Sequence, residues 1–145
     1  MKNIVFGTFL LVFFLALRLP GLDLPYHQDE WKNVSASRTV EGAGSFFAHP
    51  PLMQIMFVVA YAVFGADYFR ILPLSFALAS AGLLYLVVRK RAGKRAAAWS
   101  TIFYSANVYA VLGSLVPDVD GAILPFFFLL TIYLYDCWVD FKKLK

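Results

Sequence analysis

Residues 71–116 read ILPLSFALASAGLLYLVV, then RKRAGKR, then AAAWSTIFYSANVYAVLGSLV, and this stretch decides the fold. Ile71–Val88 and Ala96–Val116 contain no Asp, Glu, Lys or Arg, and the five cations of Arg89–Arg95 lie between them. A helix needs about 20 apolar residues to cross ~30 Å of hydrocarbon, and both runs meet that length. The pair therefore reads as two membrane spans joined by a basic turn on the cytoplasmic side.

Working outward, Ile4–Leu17 is also free of charge and reaches spanning length by adding a snorkelling Arg18, Leu19 and Pro20. Arg18-Leu19-Pro20 stands where a signal peptide would carry a small-x-small cleavage site, so the segment reads as an uncleaved anchor. Gly121–Tyr135 extends to a span through Cys137, Trp138 and Val139, with Asp136 near enough to its end to find water. The spans expected are thus about 4–20, 71–88, 96–116 and 121–139. Composition agrees, since the 145 residues are 61% hydrophobic and 15% charged. A soluble domain is nearer 45–50% apolar and about 25% charged. The net charge of +4 is then better explained by loop orientation than by nucleic-acid binding. A single cysteine, Cys137, gives no internal disulfide.

Leu52–Ala66 is the ambiguous run, because its 15 residues rise only about 22 Å. If it does not span, the N-terminus is cytoplasmic, there are four spans, and 9 of the 13 basic residues lie inside. Asp23, Asp29, Glu30, Glu41, Asp67, Asp118 and Asp120 then all lie outside. If it does span, the N-terminus is outside and 11 basic residues lie inside, which the positive-inside rule slightly prefers. Against that stand the short run and the four-residue turn Asp67–Arg70. Both topologies keep Arg89–Arg95 cytoplasmic and Asp118 and Asp120 outside.

Three polar features stand near the outer ends of the spans. Tyr26-His27-Gln28-Asp29-Glu30-Trp31 places two carboxylates between aromatic residues, ahead of a short helix expected over Glu30–Val40. Its plain reading is a helix start with Asp29 as cap and Glu30 in the first turn. His49-Pro50-Pro51-Leu52 reads as a rigid helix start with Pro51 in the first position. Alternatively it aims the His49 imidazole at an anionic or metal-bound group. Pro117-Asp118-Val119-Asp120-Gly121 is either a turn or a pair of carboxylates able to hold a hard cation. Elsewhere the Tyr and Trp residues near the span ends fit an interfacial belt.

Taken in order, Arg18-Leu19-Pro20, Asp29-Glu30, His49–Leu52, Phe64-Gly65 with Arg70, the basic turn and Pro117-Asp118 resemble the GT-C membrane glycosyltransferases. The nearest resemblance is to the N-terminal part of the protein O-mannosyltransferase and aminoarabinose-transferase-like branch, and it covers nearly the whole chain. It implies an all-α, multi-pass membrane protein with four spans and a large first external loop, 21–70, carrying membrane-lying helices. It also implies a cell-membrane location with both termini cytoplasmic. The expected reaction is transfer of a sugar from a polyprenyl-phosphate carrier to an acceptor on the external face. By that resemblance Asp29 matches the catalytic acid, Glu30 is its neighbour, and Asp118 or Asp120 matches the acid of the second external loop. Such chemistry needs a base for the acceptor proton and positive groups or a metal for the departing phosphate. His49, Arg38 and Arg70 are the candidates for phosphate, and Asp118 with Asp120 for a divalent cation. Members of that family are several times longer, so a second polypeptide supplying further spans is an expected partner. By the same resemblance the chain is expected to be incomplete as a transferase on its own, and the alternative is a non-catalytic membrane subunit or fragment that binds lipid or a partner protein.

Overall fold

The computed structural model describes residues 2–39 and 51–143. Every element among them is helical: α1 (Lys2–Ala16), a 3₁₀ turn (Leu19–Gly21), α2 (Gln28–Ala36), α3 (Pro51–Phe64), α4 (Ile71–Ala106), α5 (Val108–Gly113), a wide π-helical turn (Val119–Ile123) and α6 (Leu124–Lys143). Three stretches among the described residues are long and apolar enough to cross a membrane: Ile4–Gly21, Ile71–Ala106 and Asp120–Lys142.

The long α4 is not a straight rod. Gly93 interrupts it with φ 86° and ψ 174°, a conformation that L side chains disfavour and glycine adopts freely. Tyr104 packs against the buried cluster that holds Ala77 and Ala81, on either side of Ser80. In a straight helix residues 80 and 104 would stand ~36 Å apart at 1.5 Å per residue. The chain therefore doubles back at Gly93, with 71–92 and 94–106 side by side. The turn expected over Arg89–Arg95 contracts to a single residue, because the basic side chains are good helix formers and only Gly93 supplies the reversal.

The second half of the hairpin is also interrupted. The run expected to continue from Ala96 to Val116 breaks at Asn107, whose backbone is extended at φ −65° and ψ 126°. Asn107 caps the short α5 by accepting from the Ala110 N–H at 3.1 Å. The last helix likewise differs from the expected start at Gly121, since helical turns begin at Val119. Pro125, second in α6, lacks the N–H that would bond the Gly121 carbonyl, and its ring crowds that oxygen. The wide turn just before it accommodates that mismatch.

Two apolar clusters hold the rods together. Phe14, Ala77, Ala81 and Ala122 form one, where small residues let α1, α4 and the wide turn approach closely. Val34, Met53, Phe57, Ala60, Phe69 and Ile123 form the other, seating α2 and α3 against the starts of α4 and α6. Phe76 of α4 lies between Phe126 and Phe127 of α6, with ring centroids 5.0 and 6.1 Å away. Farther along, Lys90 of α4 meets Asp140 of α6 at 2.6 Å, so these two helices run parallel. The ends of α1 and α5 and the starts of α4 and α6 consequently gather at one end of the molecule. The Arg89–Arg95 segment and the end of α6 form the other. At 14 residues, α3 rises ~21 Å, less than a hydrocarbon core.

Candidate functional site

The gathered end is organised by two buried arginines. Arg18 is fully buried rather than snorkelling, at 0% exposure. Its Nη1 donates to the carbonyls of Phe14 at 3.1 Å and Ser105 at 3.0 Å, and its Nε donates to Ser114 Oγ at 2.9 Å. Local structure explains the choice of acceptors. The Arg18 N–H turns to the Leu15 carbonyl in the 3₁₀ geometry that leads into Pro20, which releases the Phe14 carbonyl. The break at Asn107 removes the helical partner of the Ser105 carbonyl in the same way. One guanidinium thus satisfies the orphan carbonyls of two helix ends, where the helix dipoles also favour a cation. It packs 3.7 Å from the centre of the Phe14 ring. Ser114 donates its own proton to the Val111 carbonyl at 2.6 Å, leaving its lone pairs for Arg18.

Arg70 does the same for irregular backbone. Its Nη1 donates to the carbonyls of Gly21 and Leu22 at 3.1 and 3.3 Å and to that of Leu24, and its Nη2 donates to Pro25 at 3.3 Å. Nη2 also meets both carboxylate oxygens of Glu30 at 3.1 and 3.2 Å. Glu30 is buried, and its Oε2 accepts from the His27 N–H at 2.6 Å. The start of α2 is therefore capped from within by its third residue, with His27 as the capping position. This corrects the expectation that Asp29 is the cap and that the helix runs Glu30–Val40: α2 runs Gln28–Ala36, with Ser37 at its end. Asp29, second in α2, is described by its backbone position alone.

Tyr26 closes this cluster. Its ring lies 4.6 Å from the Arg70 guanidinium and stacks on Trp31 at 5.9 Å, while its hydroxyl donates to the Ala66 carbonyl at 2.6 Å. Burial raises the phenol pKa above its ordinary value, with the nearby Arg70 charge acting in the opposite direction.

The second acidic segment meets the first through Asn33, whose Nδ2 donates to the Pro117 carbonyl at 3.0 Å. Asp118, half-buried, and Asp120, exposed in the wide turn, follow Pro117 directly. The turn is drawn tight by a backbone contact: a Cβ on Gly113 would stand 2.7 Å from the Gly121 carbonyl oxygen, and one on Gly121 2.5 Å from that of Gly113. Glu30, Arg70, the start of α2 and residues 117–120 therefore share one end of the protein. Arg38 is exposed beyond the end of α2. His49 lies outside the described residues. No group of three or more His, Cys, Asp or Glu able to hold a metal occurs among the described residues.

Arg18 carries a visible sequence signal in Arg-x-Pro, but its acceptors at Ser105 and Ser114 are distant in the chain and carry none. Asn33 is equally silent in sequence, one polar residue in a short helix. No family model, curated protein or solved structure matches the chain.

Proposed function

We propose that this chain is a four-span membrane unit related in function to polyprenyl-phosphate-dependent glycosyltransferases, with its chemistry at the Arg18/Arg70 end. The four spans are α1, the two halves of the α4 hairpin with the second continued by α5, and α6. In this reading α2 and α3 lie along the external membrane surface, and both termini are at the cytoplasmic face of the cell membrane. The hairpin at Gly93 and the excess of Lys and Arg at the opposite end support that orientation.

The observation that carries the functional reading is the Asn33–Pro117 bond. It brings the first loop, with Asp29 at a helix start, beside the second loop with Asp118 and Asp120. A sugar transfer needs such an arrangement, with one carboxylate taking the acceptor proton and another holding the acceptor or a divalent cation. Asp29 is the base in this proposal, and Asp118 or Asp120 its companion. Arg38 and His49 are the groups assigned to the phosphate. Arg70, with its Nη donors committed to the first loop, serves the site by holding that loop in place.

That commitment also favours a second reading, a non-catalytic subunit that keeps the scaffold and binds lipid or a partner protein. One assay separates them: transfer from a labelled polyprenyl-phosphate sugar by membranes containing the chain, with and without Asp29→Asn. The catalytic reading expects a loss of about 10²- to 10⁴-fold with the protein still in the membrane. Activity within a few-fold of the unaltered chain leaves Asp29 as a helix-start residue and overturns the assignment.

A further inference from the structure

A feature that the proposed chemistry does not use opens at the opposite end and reaches inward as far as the Arg18 cluster. A groove of about 380 Å³ runs between α1 and the α4 hairpin, with Phe6, Leu10 and Leu78 among its walls. Arg89 and Lys94 stand at one end of it, and Phe14 and Ser105 at the other. From Lys94 to Ser105, at 1.5 Å per residue, it extends ~16 Å. That is about half of a ~30 Å hydrocarbon core, the depth of one leaflet.

Two observations define what fits there. The first is charge. The basic segment carries five cations, and two of them are neutralised: Lys90 by Asp140, and Arg91 by Asp136 at 2.7 Å. Arg89 and Lys94, the two at the groove, have no ion pair among the described residues. The second is space. Gly7 on α1 and Gly82 on α4 both line the groove, and a Cβ at either position meets nothing within 4 Å. In both helices a small residue faces open volume where a larger apolar side chain would close the wall.

We infer that the groove holds one acyl chain of a membrane phospholipid with a net negative headgroup, the headgroup phosphate resting on Arg89 and Lys94. The binding is selective because two unpaired cations stand at one fixed mouth, whereas the neighbouring pair is already neutralised within the protein. A zwitterionic phospholipid offers the same chain but returns its own cation to that mouth. The inference rests on membrane insertion and not on the transferase reading, since the headgroup mouth at Arg89 and Lys94 lies at the other end of the molecule from the proposed chemistry.

The test is native mass spectrometry of the purified full chain, delipidated and titrated with phosphatidylglycerol or phosphatidylcholine of matched chains. One phosphatidylglycerol is expected to bind in clear preference to phosphatidylcholine. Replacing Arg89→Gln or Lys94→Gln should weaken it about 5-fold each, and the double variant roughly 30-fold, following the contribution of a basic residue near an anionic headgroup. Arg95→Gln, away from the groove, should change the affinity less than 2-fold, well below that contribution. Gly82→Leu fills the groove with the mouth's charges unchanged, and should abolish the one-lipid complex. Circular dichroism of that variant verifies its fold, and Gly7→Leu provides the same block from the facing helix. Equal binding of the two lipids, or undiminished phosphatidylglycerol binding by either filled variant, overturns the proposal.

Discussion

The two ends of this bundle handle charge in opposite ways. At one end Arg18 and Arg70 are buried at 0% and 5% exposure, and their donors go chiefly to main-chain carbonyls. At the other, Lys90 and Arg91 are exposed and pair with the carboxylates of Asp140 and Asp136. Buried guanidiniums spread over several carbonyls act as rigid connectors, because each donor has a fixed direction and water cannot replace the acceptor. Exposed pairs exchange readily with water and salt. The buried end is therefore built to hold a geometry, and the exposed end to carry charge at a surface.

The largest test of this contrast is Arg70→Ala. It strands the Glu30 carboxylate in a buried site and releases the carbonyls of Gly21, Leu22, Leu24 and Pro25. Breaking a buried pair from one side costs about 3–5 kcal/mol, which a denaturant or thermal unfolding series in detergent reads directly. Adding Glu30→Gln to the same chain should recover part of the loss, because no uncompensated charge then remains. A double variant as unstable as the sum of both single changes would mean that the pair is not the organising contact.

A smaller effect is expected for Arg18→Lys. The charge stays, but an ammonium cannot reach the Phe14 and Ser105 carbonyls and Ser114 together. The loss should be about 1–3 kcal/mol, the cost of leaving a buried polar group unsatisfied. Wild-type stability would show that charge alone suffices and that the fork geometry is incidental.

The smallest is Arg91→Gln at the exposed end. It removes a two-pronged contact with Asp136, at 2.9 and 2.7 Å, yet the unfolding midpoint should hardly move. What small difference exists should vanish in high salt. A large, salt-resistant loss would erase the distinction between the ends.

The sequence made some of this visible. Charge-free runs and the basic segment located the apolar rods, because desolvation forbids charges there and no long-range information is needed. The Arg-x-Pro at 18–20 marked the end of the first rod, and Pro51 the start of α3. Other features depended on partners far along the chain. Arg18 reads from sequence as a snorkelling residue because its acceptors at 105 and 114 exist only after α1 docks on the hairpin. Asp136 stands near enough to the span end to reach water, but its pairing with Arg91 carries no sequence signal, since the parallel packing of α4 and α6 is a tertiary fact. α2 starts two residues before the Glu30 start that the acidic pair suggests, because Glu30 reaches back to the His27 N–H and so puts the cap ahead of that pair.

The contact between Gly113 and Gly121 has a consequence for recognition. Residues 114–120, with Asp118 and Asp120 near their end, form a loop whose two feet touch backbone to backbone. The conformational entropy of that loop is therefore surrendered during folding and not when something binds to it. A methyl group at either foot would separate the strands of the loop and restore its freedom, so such a change would weaken recognition while leaving both carboxylates chemically intact. Under the proposed function, whatever this acidic corner binds would owe part of its affinity to two residues that have no side chain to offer.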